Sequence, residues 1–307
     1  MAKQRLLITG VSGLLGGNLA GFFRDKYDVL GVYNTHTFKP AWVVTEQVDL
    51  TSEESCARVV AAFRPDVCIH CAALADVDRC EVDRAAAYRI NVEATRFLVK
   101  ALSGRACQLV FISTDSVYDG TGGKLSESSP VRPQNYYAET KLLAESEVAR
   151  HPDSLIVRTS FLGWNLGEGK LSIAQWAVEE LSNGRRIKGF TDVRTSSIYT
   201  MAFARILEAA LQKQLKGVYN IAASDSLSKC ELLFQIARLF KLDEGLIDPV
   251  AISSFPLKAK RPLDLSLVSD KVAGALGITL PSMAEGVEEF YRDREKFWGK
   301  NKGQGRC

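Results

Sequence analysis

Short apolar runs and helical patterns alternate through the first half of the chain. In order they are RLLITG, a helix from about 15 to 25, DVLGVY, EQVDL, a helix in the fifties, DVCIHCAA, a helix from about 83 to 103, and QLVFIST. Strands separated by helices pair in parallel through right-handed crossovers, so the pattern predicts an α/β chain built on a doubly wound parallel sheet. Thr51 to Glu54 and Ser228 to Glu231 have the spacing of capping boxes and mark helix starts. GVYNIAA, at 217 to 223, reads as a late strand of the same sheet. From about 161 the pattern loosens into loops around helices near 172 to 183, 200 to 213 and 228 to 240. The expected organisation is a first domain over 1–160, with returning segments near 191–223, and a smaller lobe over 161–307 built from discontinuous pieces. The tail GKNKGQGRC reads as frayed.

Composition narrows the class. With 307 residues, 46% hydrophobic and 24% charged, this is an ordinary globular chain. A formal charge of +3 from 39 basic and 36 acidic residues gives no concentrated positive field, and no basic patch interleaved with aromatics points to nucleic acid. The uncharged run LLITGVSGLLGGNLAGFF near the start has the outline of a signal peptide. Its four glycines between 10 and 17 argue against a continuous apolar helix, and no other stretch approaches a membrane span. A cytoplasmic protein without membrane contact is expected. Seven cysteines without framework spacing read as reduced thiols. The pair in CIHC lies on a strand where side chains alternate faces, so Cys68 and Cys71 read as core positions on opposite sides and no metal site is expected.

RLLITGVSGLLGGNLA places Gly10, Gly13 and Gly16 directly after a strand and at the opening of a helix. Glycines there let backbone approach a pyrophosphate, and the helix start offers free N–H groups to it. Gly10, Ser12, Gly13, Leu14, Leu15 and Gly16 are therefore the candidate cofactor loop of a Rossmann-like fold. The second strand, DVLGVYNTH, ends without the acidic residue that would bind a ribose 2′-hydroxyl. Asn34, Thr35, His36 and Lys39 stand nearby instead, a neutral or cationic rim that favours NADP(H) while leaving NAD(H) possible.

Residues 135 to 143 read NYYAETKLL, with Tyr137 four residues before Lys141. On a helix these two share a face, while Tyr136 points elsewhere. Together with the strand end FISTDSVYDG, this pattern resembles the extended short-chain dehydrogenase/reductase family. Within that family, STDSVYDG, YYAETKLLAE, VRTSF and KRPLDLSLVSDK are most similar to the dTDP-4-dehydrorhamnose reductases and their relatives. The resemblance covers most of the chain and implies a catalytic set of Thr114, Tyr137 and Lys141. Tyr137 would donate a proton to the alkoxide formed by hydride transfer. Lys141 would lower the phenol's pKa and hold the nicotinamide ribose. Thr114 would hold the substrate oxygen, and Asn91 would support Lys141 through water or backbone.

The resemblance also implies that Asp49 and Leu50 flank the adenine and that Ala72, Ala73 and Ala75 let the cofactor pass. Asp115 and Phe161 match positions near the sugar, and Arg261 fits either a diphosphate or a surface ion pair. Ser116 and Phe161 stand where the rhamnose-forming enzymes carry Tyr and Trp, and RTSS at 194 to 197 lacks a proline common there. The implied activity is NADP(H)-dependent reduction of a keto group on a nucleotide-activated deoxysugar, and a homodimer is left open. Rivals are a sugar-nucleotide epimerase sharing the Tyr and Lys, and a non-catalytic regulatory subunit like that of methionine adenosyltransferase. A 4,6-dehydratase would need an Asp-Glu pair after Thr114, where this chain has Asp115 and Ser116.

Overall fold

The computed structural model describes residues 3–167 and 171–297, so the tail read as frayed lies outside the described residues. Seven strands form the central sheet: β1 Arg5–Thr9, β2 Asp28–Tyr33, β3 Val44–Gln47, β4 Val67–His70, β5 Gln108–Ile112, β6 Ser154–Arg158 and β7 Gly217–Asn220. Their order is β7-β6-β5-β4-β1-β2-β3, and every pair is parallel. The sheet has a core on each face, because strand side chains alternate. Leu6, Ile8, Ile69, Val110, Ile112, Leu155 and Val157 pack on one side with helices Leu14–Phe23 and Thr200–Gln212. Leu7, Cys68, Leu109, Phe111 and Ile156 pack on the other with helices Glu53–Phe63, Ala94–Leu102 and Tyr136–Val148. Cys68 and Cys71 accordingly join opposite cores.

The pattern places the elements well and their edges less well. Helix Glu53–Phe63 is capped by Ser52, whose hydroxyl accepts from Ser55 N, so the expected Thr51 box is displaced by one residue. Thr51 instead donates N–H and hydroxyl to Asp49. The Ser228–Glu231 box is present at the start of helix Lys229–Phe240. The helix expected over 83 to 103 is three pieces, Arg84–Tyr88, a π-helical turn Arg89–Glu93, and Ala94–Leu102. Such a turn carries an extra residue and commonly marks a functional position; here it carries Asn91.

Short strands after residue 160 form small separate sheets. Phe161–Leu162 pairs with Ile198–Tyr199, Ile187–Phe190 with Ile247–Val250, and Arg194–Thr195 with both Leu227–Ser228 and Asp264–Leu265. Among the described residues, no helix is long and apolar enough to cross a membrane.

Candidate active site

Because all seven strands run the same way, Gly10, Cys71, Ser113 and Thr159 emerge at one edge of the sheet. The strand order reverses between β1 and β4, and the crevice beyond such a reversal is where open α/β sheets take ligands. The glycine loop is shaped for close approach there. Gly10 has φ +69°, and a Cβ on it would stand 2.7 Å from Ala72 N; a Cβ on Gly16 would stand 2.3 Å from Gly10 O. Gly13 caps helix Leu14–Phe23 without a side chain, which leaves the first N–H groups to a ligand. These features fit a dinucleotide pyrophosphate. Gly167 closes on the loop from the second half of the chain, since a Cβ there would lie 2.5 Å from Ser12 O.

The rest of the predicted cofactor track follows the same edge. Ala72 donates its N–H to Thr9 Oγ1 at 3.2 Å, with Ala73 and Ala75 in the segment that follows. Leu50 is buried in the second core, whereas Asp49 is exposed and accepts from Thr51 and, at 3.4 Å, from Asn34. Asn34, Thr35, His36 and Lys39 are all exposed after β2.

The catalytic candidates converge beside this track. Asn135 caps helix Tyr136–Val148, accepting from Ala138 N at 3.0 Å, and Glu81 accepts from Tyr136 N at 3.0 Å. Tyr137 lies close enough to Thr114 for that hydroxyl to favour the charged phenol. Burial pushes the Tyr137 phenol up, Thr114 opposes that, and Asp115 and Cys80 reinforce it. Lys141, only 2% exposed, donates to the Ile112 carbonyl at 2.7 Å and lies 3.9 Å from the centre of the Phe111 ring. Burial brings its amine down to about 7, while Glu145 and Cys71 pull upward.

The pair therefore differs from expectation in one respect. The phenol is raised rather than lowered, because desolvation of a phenolate outweighs its polar contacts, and the depressed group is the amine itself. Asn91 reaches the Lys141 helix through a direct side-chain contact. Its side chain accepts from Leu74 N at 2.8 Å and donates to Thr140 Oγ1 at 2.9 Å, tying the π-helical turn to the residue before Lys141. Tyr136 faces outward, its ring under the Arg84 guanidinium at 4.7 Å.

On the substrate side, Thr114 Oγ1 donates to Asp115 at 3.2 Å, and the Ser116 hydroxyl donates to the same oxygen at 3.1 Å. Burial brings the Asp115 carboxyl up to about 6, opposed by these hydroxyls and by Lys229. Phe161, half-buried, opens the short strand just past β6. Arg261, the candidate for a diphosphate or an ion pair, stands 3.0 Å from Asp78. Two residues near the site escaped the sequence reading. Lys229 carries charge toward Asp115 from the first turn of a helix more than a hundred residues later, and Cys71 lies within electrostatic reach of Lys141. Lys229 belongs to no local motif, and Cys71 reads from CIHC only as a core position. No group of three or more His, Cys, Asp or Glu among the described residues could hold a metal ion.

Comparison with known proteins agrees with this geometry. The chain is 30% identical over 288 residues to methionine adenosyltransferase 2 subunit beta of Danio rerio, covering 91% of this chain and 87% of that one. It is 28% identical over 292 residues to dTDP-4-dehydrorhamnose reductase of Aggregatibacter actinomycetemcomitans, covering 89% and 94%. The crystal structure of dTDP-4-dehydrorhamnose reductase from Bacillus anthracis in complex with NADP superposes with a TM-score of 0.84 at 27% identity, covering 95% of this chain and 99% of that one. The profile of the family described as RmlD substrate binding domain matches residues 4–295, and the chain belongs to that family.

Proposed function

We propose that this protein is an NADP(H)-dependent reductase of a 4-keto nucleotide-activated deoxysugar, of the dTDP-4-dehydrorhamnose reductase type. The observation that carries the reading is the approach of Thr114 to Tyr137, with Lys141 one turn further on, beside a glycine loop too tight for any side chain at Gly10 or Gly16. Bound cofactor supplies hydride to the keto carbon. Thr114 and Tyr137 hold the substrate oxygen, and Tyr137 gives it the proton that the new alkoxide requires. A half-buried phenol with a raised pKa stays protonated around pH 7, which suits a donor. Lys141 presents its ammonium to the nicotinamide ribose and the phenol. Gly10, Ser12, Gly13, Leu14, Leu15 and Gly16 take the pyrophosphate, Ala72, Ala73 and Ala75 leave room for its passage, and Asp49 and Leu50 flank the adenine. The exposed rim at Asn34, Thr35, His36 and Lys39 carries no acidic residue of its own and admits a 2′-phosphate, with neighbouring Asp49 engaged by Thr51 and Asn34. Asp115 and Phe161 contact the sugar.

In the same reading, residues 1–160 with the returning segments bind the cofactor, the pieces from 161 onward form the substrate lobe, and the protein works in the cytoplasm, with a homodimer compatible. Likeness to a subunit of methionine adenosyltransferase 2 keeps a regulatory role as the rival, and the complete Thr114, Tyr137 and Lys141 set supports the enzyme. The test is absorbance at the reduced-nicotinamide band with a panel of 4-keto sugar nucleotides. Stoichiometric NADPH loss with one of them is expected. Recycling without net loss would indicate an epimerase, and tight NADPH binding without turnover on any of them would indicate the regulatory role.

A further inference from the structure

One turn beyond Lys141, the same helix buries a second charged group. The Glu145 side chain is 7% exposed, and three donors converge on it. Ser113 Oγ, just past β5, donates at 2.5 Å. Arg158, the last residue of β6, donates through Nε at 3.0 Å and through a terminal nitrogen at 2.7 Å. The other arm of the guanidinium donates to the Tyr118 hydroxyl at 2.9 Å, which donates in turn to Asn220 Oδ1 at the end of β7, at 3.1 Å. A continuous line of buried polar contacts thus ties three adjacent strand ends to the helix that carries Tyr137 and Lys141.

A buried ion pair is weak evidence for stability, because removing both charges from water cancels most of their attraction. Its position suggests a different use. Lys141 faces the Ile112 carbonyl and Phe111 ring of β5, the thiol of Cys71 and the imidazole of His70 at the end of β4, and Tyr137 and Glu145 on its own helix. Burial brings Cys71 up to about 12 and His70 down to about 3, so both are neutral around pH 7. Glu145 is the carboxylate among these neighbours.

We propose that the Ser113–Glu145–Arg158 cluster is the positioning device of Lys141: it locks the Tyr136–Val148 helix to the ends of β5 and β6 and supplies the negative charge that keeps the amine an ammonium in the cleft. The use made of that ammonium rests on the reductase reading; the effect of the cluster on Lys141 does not depend on the substrate.

The test follows NADPH binding to the full chain by fluorescence from acid to alkaline pH. Four variants are compared with the wild type: Glu145→Gln, Glu145→Asp, the double variant Glu145→Gln with Arg158→Gln, and Lys141→Met. The double variant removes both charges, so no guanidinium is left buried alone. Wild-type affinity should fall on an alkaline limb as Lys141 loses its proton, and Lys141→Met should lack that limb. In Glu145→Gln and in the double variant the limb should lie about one pH unit lower, and Glu145→Asp should return it toward the wild-type position. Folded variants whose limb stays in place would make the cluster a packing feature and overturn the proposal. Failure of both Gln variants to fold would also assign the cluster to structure and overturn it. A chain with the shifted limb that reduces no 4-keto sugar nucleotide would sink the reductase reading and leave this inference standing.

Discussion

Replacing Lys141 by Met should make the cofactor-free protein more stable while destroying its use. The amine sits at about 7 in the folded chain against an ordinary 10.5, chiefly because burial disfavours the charge. Between those two values the unfolded chain keeps a proton that the folded chain has lost, so stability rises with pH across that window, and the full penalty applies below about 7. At ~1.4 kcal/mol per pH unit the charged amine costs up to ~5 kcal/mol. Methionine fills the same volume without charge. It leaves the Ile112 carbonyl without a donor, which returns about 1–3 kcal/mol. A net gain of about 2–4 kcal/mol at pH 6 follows, roughly 4–8 °C in Tm. Thermal melts of both proteins without cofactor, at acid, neutral and alkaline pH, measure it. The advantage of the variant should shrink as pH rises toward 9. A variant that melts below the wild type at pH 6, or a gap that does not change with pH, would refute the assignment of Lys141 as a buried, destabilising charge.

Other outcomes follow from the same geometry. Tyr137→Phe should lower turnover by roughly 10²–10⁴-fold, the usual worth of a positioned acid, while fluorescence titration shows NADPH affinity unchanged; loss of cofactor binding would contradict the proton-donor role. Gly16→Ala places a Cβ 2.3 Å from Gly10 O, backbone that cannot swing aside, so a loss of about 1–3 kcal/mol is expected. NADPH affinity should drop about tenfold or more, and unchanged affinity would show that the loop does not hold the cofactor. Asp115→Asn removes a carboxyl that burial raises from 3.8 to about 6. The stability of its protonated form is full below about 4 and lost as pH rises through about 6, so the Asn variant should be up to ~3 kcal/mol more stable at pH 7 and lack that slope. Melting curves on both sides of pH 6 check it.

The parts of this molecule that sequence discloses are those governed by local period and spacing. Six of the seven parallel strands, a glycine loop between β1 and its helix, and Tyr137 one turn from Lys141 follow from patterns within a few residues, whereas β6, Ser154–Arg158, is not singled out by pattern. Edges resolved less well: Ser52 rather than Thr51 caps its helix because Thr51 is engaged by Asp49, two hydroxyls competing within two positions. The π-helical turn at Arg89–Glu93 gives no period of its own, since one inserted residue looks like an imperfect helix. Long-range pairs were closed to pattern altogether. Arg261 meets Asp78 across more than 180 positions, and Lys229 turns toward Asp115 across more than 110, so neither choice of partner can be read from either segment alone.

The same limit explains why the electrostatics of the Tyr–Lys pair ran opposite to expectation. Spacing says that an amine is near a phenol and nothing about how dry both are. In the folded chain burial dominates, raising one group and lowering the other. On the proposed chemistry this redistributes the tasks. Tyr137, its phenol pushed up by burial, is a neutral donor around pH 7, so its proton is available to an alkoxide there. The protonation that changes near neutrality belongs to Lys141, and the rate should therefore follow the amine: high while it is an ammonium, falling as pH rises through about 7, and restored toward higher pH when bound cofactor adds negative charge beside it. A pH–rate profile with its alkaline limb near 10 in cofactor-poor conditions would place control on the phenol and reverse this order.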